Sequence, residues 1–139
     1  MSLVLTQEGA STLWKWVLGI TPLNTPNCHL FGEAFTPQHI DTEATFAAYE
    51  LPRAAGYAPI ALATPAEDWT ISPISQGAQA VYYPLLWMLT AQVTIYGYWL
   101  SDFSNTYSLW AEEFEDPFPL PFGGGYFSLI LPPQMVSLP

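Results

Sequence analysis

The sequence predicts a mainly β protein, an antiparallel β-sandwich or jelly-roll-like domain with one amphipathic helix at the N-terminus. Short strand-like runs recur at regular intervals, with proline and glycine between them, and only one segment has helical periodicity. The fourteen prolines suit such a fold and argue against a helical bundle. We expect a single domain over residues 1–139.

The helix is expected over Gln7–Leu18. Its apolar residues recur at the i, i+3, i+4, i+7 and i+8 spacing of one helical stripe. That stripe consists of Ala10, Leu13, Trp14, Val17 and Leu18. Thr6 is suited to cap the start, and Gly19 suits the left-handed position after the end. Trp16 lies off the stripe, which makes it a candidate contact with another molecule.

The next segments predict a strand and then a loop. Asn27–Phe35 is expected to be a strand, and its alternation would direct the adjacent Cys28 and His29 to opposite faces. Thr36–Ala55 is polar and acidic and is bounded by prolines, although its centre could form one or two helical turns. We expect this segment to be a long surface loop that contacts partners.

The middle and the end of the chain predict further strands around proline-rich connections. The expected strands are Gly56–Thr64, Trp69–Pro73, Ala78–Leu89 and, last, Tyr126–Leu131. Pro84 implies an edge position or a bulge in the third of these. Glu115–Gly125 holds too many prolines and glycines to predict regular structure, and Pro132–Pro139 is expected to be an extended tail.

A β-hairpin is expected from Val93 to Phe114, with its turn at Ser101–Thr106. Period-two alternation gives the first strand two faces, one with Val93, Ile95, Gly97 and Trp99, the other with Thr94, Tyr96, Tyr98 and Leu100. Neither face is polar. We therefore expect one face to lie in the core and the other to contact another subunit.

Composition excludes several function classes. The chain has twelve acidic residues and only Lys15 and Arg53 as basic ones, for a net charge of −10, so neither nucleic acid nor an anionic membrane is an expected partner. No charged residue lies between Asp68 and Asp102, but prolines and glutamines in that interval argue against a transmembrane helix. Cys28 is the only cysteine, which precludes an intrachain disulfide, and the N-terminus does not resemble a secretory signal.

The titratable residues do not form a recognisable catalytic or metal-binding pattern. His29, His39 and Glu33 could be imagined as metal ligands, but their spacing matches no known ligand motif. The acidic cluster Glu112–Asp116 lacks EF-hand spacing, and we interpret it as a solvated strand end, with its role left open. We therefore expect no enzyme activity, no metal and no cofactor.

Aromatic residues make up 16% of the chain, more than a core of this size usually contains. Such side chains are enriched where proteins meet, so they favour association between subunits. The candidate interface residues are Trp16, Tyr96, Tyr98, Trp110, Phe118 and Phe122. A densely aromatic core and a sugar-stacking platform are alternative interpretations of the same surplus.

The order of short motifs resembles a family of small virion proteins of tailed bacteriophages. The motifs are LVLTQEG with the helix after it (Leu3–Leu18), LFGEAFTP (Leu30–Pro37), GYAPIAL (Gly56–Leu62), WTISP (Trp69–Pro73), VYYP (Val81–Pro84), IYGYWLSD (Ile95–Asp102) and LWAEEF (Leu109–Phe114). The opening LT-x-x-G and the pair YGYW and LWAEEF are the most specific. Glu115–Gly125 departs from the family's polar turn.

This resemblance implies a non-enzymatic structural protein of the virion, made in the host cytoplasm. It favours a capsid decoration, or cement, protein that binds the major capsid protein and copies of itself at the capsid surface. The alternative is a tail-fibre or tail-adaptor component, or a receptor- or glycan-binding module. The resemblance implies no catalytic residues.

Overall fold

The computed structural model describes residues 3–62, 69–75, 77–131 and 134–136. Within them the chain forms two antiparallel sheets and an N-terminal helix, so the predicted mainly β, sandwich-like fold is confirmed. The helices are α1 (Gln7–Val17), α2 (Glu43–Ala47) and a 3-10 helix (Arg53–Ala55). The strands are β1 (Val4–Leu5), β2 (Asn27–Phe31), β3 (Ile60–Ala61), β4 (Trp69–Ile74), β5 (Gly77–Leu89), β6 (Thr94–Ser101), β7 (Ser108–Pro119), β8 (Gly125–Leu131) and β9 (Gln134–Val136).

The two sheets divide the strands unequally. The first sheet has the order β1-β7-β6-β2-β3. The second has the order β4-β5-β8, with β9 also paired to β5. The pairing of Tyr82 with Leu131 and of Gln79 with Gln134 places β9 on the same edge of β5 as β8. The register shifts between Tyr82 and Leu85, which confirms the bulge that Pro84 predicted.

Apolar side chains from both sheets fill the space between them. The first sheet contributes Cys28, Leu30, Ile95, Tyr98, Leu100 and Leu109, and the second contributes Leu85, Trp87, Leu89, Phe127, Leu129 and Leu131. Strand alternation directs these residues of the second sheet inward, because buried and exposed positions follow each other one by one along Leu85–Leu89 of β5 and along β8. Burial raises the pKa of the Cys28 thiol, which behaves here as a small apolar side chain.

A second apolar cluster covers the opposite face of the first sheet. It contains Phe31, Phe46, Trp99 and Ala111, with Phe35, Tyr49 and Tyr96 partly buried against it. The chain segment Thr36–Ala55, which holds α2 and the 3-10 helix, supplies Phe46 to this cluster. The prediction of a surface loop for outside contacts is therefore wrong in part, because this segment closes a face of its own sheet.

Helix α1 has nearly the predicted extent, but the C-terminal part of its apolar stripe is exposed. The Thr6 hydroxyl accepts from the backbone N–H of Gly9, as a cap should, and Gly19 has a φ of 70°. Gly9 and Thr12 are buried, because the helix approaches β7 so closely that a Cβ on Gly9 would overlap the Leu109 carbonyl. The predicted apolar stripe consequently lies outward at its C-terminal end.

The hairpin is confirmed as β6 and β7, and the Asp102 carboxylate holds its turn by accepting from the backbone N–H groups of Thr106 and Tyr107. The predicted faces change at one point. The pairing shifts between Ile95 and Gly97, so Ile95 joins Tyr98 in the inter-sheet core while Tyr96 packs beside Trp99. Alternation alone could not reveal this bulge.

Four predicted segments differ from the strands that the structure shows. Asn27–Phe35 ends as a strand at Phe31, and only Ile60–Ala61 of Gly56–Thr64 pairs among the described residues. Glu115–Gly125 is not wholly irregular, because β7 continues to Pro119. At this open end of the hairpin, Phe118 and Pro119 still pair with β6. Tyr126–Leu131 is not the last strand, since β9 lies within the predicted tail; the remainder of that tail is outside the described residues.

Candidate functional site

The outer face of the second sheet carries large apolar side chains that no described residue covers. Leu86, Met88, Tyr126 and Ile130 are 54–63% exposed, and we call this set, with Ser128 among them, the outer patch. These residues are neighbours across β5 and β8, where Leu86 pairs with Ser128 and Met88 pairs with Tyr126. In the sequence, this surface is indicated by the uncharged interval between Asp68 and Asp102, because that interval contains β4 and β5.

A second apolar surface lies at the end of α1. Trp14, Val17 and Leu18 are 63–75% exposed, and Ile20 and Leu23 continue the surface beyond the helix. We call these five residues the helix patch. Lys15, one of only two basic residues in the chain, lies within the same segment.

The structure separates the six interface candidates. Tyr98 has no exposed surface, so its prediction as a contact residue is wrong: the face that it shares with Leu100 packs between the two sheets. Trp16 and Trp110 are partly buried against that core, and Tyr96 is partly buried in the second cluster. Phe118 is half-exposed and Phe122 is 93% exposed, so these two remain open to another molecule.

A buried polar arrangement that the sequence did not predict lies beside the second cluster. His29 Nε2 lies 2.8 Å from the Ser101 hydroxyl, and His29 Nδ1 lies 2.7 Å from Glu50 Oε2. The imidazole stacks on Trp99, with 4.4 Å between ring centroids. Serine, histidine and carboxylate in this order are the parts of a nucleophilic triad, so the position of each proton decides what the arrangement can do.

The hydrogen bonds assign the protons in a way that does not activate the serine. Ser101 donates its only proton to Asn105 Oδ1 at 2.8 Å, so His29 must donate to Ser101 through Nε2. Glu50 Oε2 lies 2.7 Å from His29 Nδ1 and also accepts from the Tyr57 hydroxyl. Because the Ser101 proton points to Asn105 and not to His29, the arrangement lacks the serine-to-imidazole hydrogen bond through which a general base activates a nucleophile.

The electrostatics of Glu50 and Tyr57 agree with this assignment. Burial acts to raise the pKa of Glu50, but hydrogen bonds from His29 and Tyr57 outweigh it and hold the pKa below its usual value. Burial, together with the neighbouring Glu50 charge, raises the pKa of the Tyr57 phenol far above its usual range. Tyr57 in turn accepts from the backbone N–H of Leu30, which ties the 3-10 helix region to β2.

Two further glutamates join α1 and α2 to the hairpin. Glu8 Oε1 accepts from the backbone N–H groups of Glu43 and Ser108 and from the Ser108 hydroxyl, each at 2.7 Å. Glu43 Oε2 accepts from Trp99 Nε1 at 2.9 Å. Burial raises the pKa of Glu43 to about 8, against the Trp99 hydrogen bond and assisted by the nearby charges of Glu50, Glu8 and Asp102.

The acidic cluster and the histidines form no evident binding site. Glu112 and Glu113 are half-buried on β7, whereas Glu115 and Asp116 are exposed. Burial raises the pKa of Glu112, and Glu113 accepts from the Thr36 hydroxyl. Among the described residues, no group of three or more His, Cys, Asp or Glu side chains is arranged to hold a metal ion.

Sequence reasoning considered His29 and missed its partners, because they lie 21 and 72 residues away in the chain. Of the helices in the described part of the chain, none is both long and apolar enough to cross a membrane. No protein-family model, curated protein or solved structure matches the chain.

Proposed function

We propose that this chain is a structural subunit of a larger assembly, and that the assembly is a bacteriophage particle whose capsid surface it decorates. The observation that carries the proposal is the pair of exposed apolar surfaces, the outer patch and the helix patch. Soluble monomers rarely keep large contiguous apolar patches uncovered. Two such surfaces on separate elements suit a subunit with two neighbours.

The internal polar groups support a structural role. His29, Glu50 and Tyr57 satisfy one another, and Glu8 joins three backbone segments, so these side chains hold the fold together. The Ser101 hydroxyl is fully buried and its proton is engaged by Asn105. The motif resemblance is the reason for proposing a phage particle. Charged residues make up only 10% of the chain, and this low content suits a protein whose surface is largely covered by other subunits.

Copy number in purified particles tests the proposal. A decoration protein should approach the copy number of the major capsid protein, as measured by quantitative mass spectrometry of gradient-purified virions. A tail-fibre or tail-adaptor component would be present at a few copies per particle. A count of that size, or absence from the particle, contradicts the decoration role.

Rebinding to particles tests which surface meets the shell. We expect Trp14→Glu in the helix patch to reduce binding to particles that lack the protein, because it places a charge in an apolar contact. Gln92→Glu adds the same charge at an exposed polar position outside α1 and is the matched control. Equal binding of both variants would remove the helix patch from the shell contact.

The triad-like geometry of Ser101, His29 and Glu50 defines the rival function, hydrolysis by a nucleophilic serine. A fluorophosphonate probe labels activated serines in folded proteins. We expect no labelling of the native chain beyond the level of a Ser101→Ala variant. Labelling that disappears in Ser101→Ala would establish an activated nucleophile and overturn the structural proposal.

Exposed Trp14 and Phe122 give the glycan-binding alternative its physical basis, because exposed aromatic rings can stack on sugars. A glycan array with purified protein separates this alternative from decoration. Binding to a defined glycan, lost in Trp14→Ala or Phe122→Ala, combined with a low copy number would favour a receptor-binding module.

A further inference from the structure

The outer patch differs from the rest of the described surface in its lack of charge. None of the residues in β4, β5, β8 or β9 is Asp, Glu, Lys or Arg. Every described acidic side chain lies outside this sheet, in a chain whose net charge is −10. Two copies repel each other when their acidic surfaces approach, and this repulsion is weakest when they approach through the uncharged sheet.

The patch also has a shape that a second copy can match. Ser128 lies opposite Leu86, with Tyr126 and Ile130 two positions away on either side along β8. A small side chain thus lies next to large exposed ones on β5 and along β8, the edge strand of this sheet. In a two-fold arrangement each copy presents the same mixture of small and large side chains, as an isologous interface requires.

We propose that the outer patch is a self-association surface and that its occupant is the outer patch of a second copy of this chain. The two second sheets pack face to face, as sheets pack within a sandwich. The four apolar side chains expose roughly 400 Å² together, about half of the ~800 Å² per partner of a standard interface. This inference does not depend on the phage assignment, because it concerns the purified chain alone.

Sedimentation velocity over a range of protein concentrations tests the proposal. We expect a dimer in equilibrium with monomer, and we expect Met88→Glu to raise the dimer Kd at least tenfold because it buries a carboxylate against another in the two-fold contact. Val17→Glu in the helix patch makes the same change at a similarly exposed apolar residue and should leave Kd unchanged. A native chain that stays monomeric, or a dimer that Met88→Glu does not weaken, overturns the proposal.

Ionic strength provides a second readout that needs no variant. Because both copies carry the same large negative charge, raising NaCl from about 0.02 M to about 0.5 M should strengthen the dimer by screening their repulsion. Association that weakens with salt would indicate an interface held by opposite charges and would contradict the outer patch as its location.

Cross-linking keeps the test independent of whether Met88→Glu folds. A short bismaleimide should join Met88→Cys chains into covalent dimers, while Val17→Cys chains should remain single. Native Cys28 is buried and gives a low background. Cross-linking through Val17→Cys but not through Met88→Cys would place the contact on the helix patch and exclude the outer patch. If the dimer exists and the protein is absent from virions, only the proposed function fails.

Discussion

The two sheets of this fold are covered to different degrees. The first sheet is closed on both faces, on one by the second sheet and on the other by the chain's own Thr36–Ala55 segment. The second sheet is closed on one face only, and its other face carries the outer patch. The side chains of Glu8, Glu43 and Glu50 all make hydrogen bonds to strands of the first sheet. The strands of the second sheet contain no charged residue.

Because of this difference, substitutions on the first sheet should change the free energy of unfolding, whereas substitutions on the outer patch should change association with other molecules. Side chains on the first sheet are fixed by contacts within the chain, so changing them should unfold the protein. Side chains on the outer patch contact solvent in the isolated chain, so changing them should leave folding intact and alter only what the protein binds. The aromatic hairpin shows the contrast, because both of its faces are used internally although its sequence favours one external face.

Trp99→Ala should have the largest effect on the first sheet. Trp99 is fully buried, stacks on His29 and Phe31, and donates to Glu43. We expect a loss of about 3–5 kcal/mol in the free energy of unfolding, the usual cost of truncating a buried Trp or Phe. Urea denaturation followed by circular dichroism measures this, with exposed Trp14→Ala as the matched control. A loss below about 1 kcal/mol would show that the second cluster does not close the sheet.

Glu50→Gln should rank next, because it removes the carboxylate that contacts His29 Nδ1 and weakens the Tyr57 hydrogen bond. We expect a loss of about 2 kcal/mol, less than for a fully buried pair because the Glu50 side chain is 18% exposed. Glu33→Gln, at an exposed position, is the control. If the two variants unfold alike, the Glu50 carboxylate does not stabilise the fold through His29 and Tyr57.

Local patterns in the sequence predicted much of the fold, and distant contacts explain what they missed. Caps and periodicity predicted α1, and alternation predicted which residues of β2 point to each face, because neighbours in the chain set both features. Periodicity could not reveal that the apolar stripe of α1 faces outward, since that depends on Gly9 meeting Leu109 a hundred residues later. The Glu43–Trp99 bond, across 56 residues, is equally invisible from the sequence.

Glu43→Gln should change stability by an amount that depends on pH. The folded pKa of Glu43 is raised from 4.5 to about 8, so its contribution to stability is fully present below pH 4.5 and is lost as pH rises through 8. Glutamine stays neutral and can still accept from Trp99 Nε1. We therefore expect the variant and the native chain to be equally stable near pH 4 and the variant to be more stable near pH 9. Urea titrations at both pH values, with Glu33→Gln as control, measure the difference; a constant difference contradicts ionisation of Glu43.

The smallest effect is expected at the outer patch, and two adjacent leucines make the comparison direct. Leu85 is buried between the sheets and Leu86 faces out, so Leu85→Ala should cost about 2–5 kcal/mol and Leu86→Ala less than about 0.5 kcal/mol in dilute protein. Because a dimer stabilises the folded chain by mass action, the cost of Leu86→Ala should grow with protein concentration while that of Leu85→Ala stays constant. Thermal unfolding at several concentrations measures both trends. A cost for Leu86→Ala that is large in dilute protein would mean that the outer patch, like the first sheet, is held by contacts within the chain.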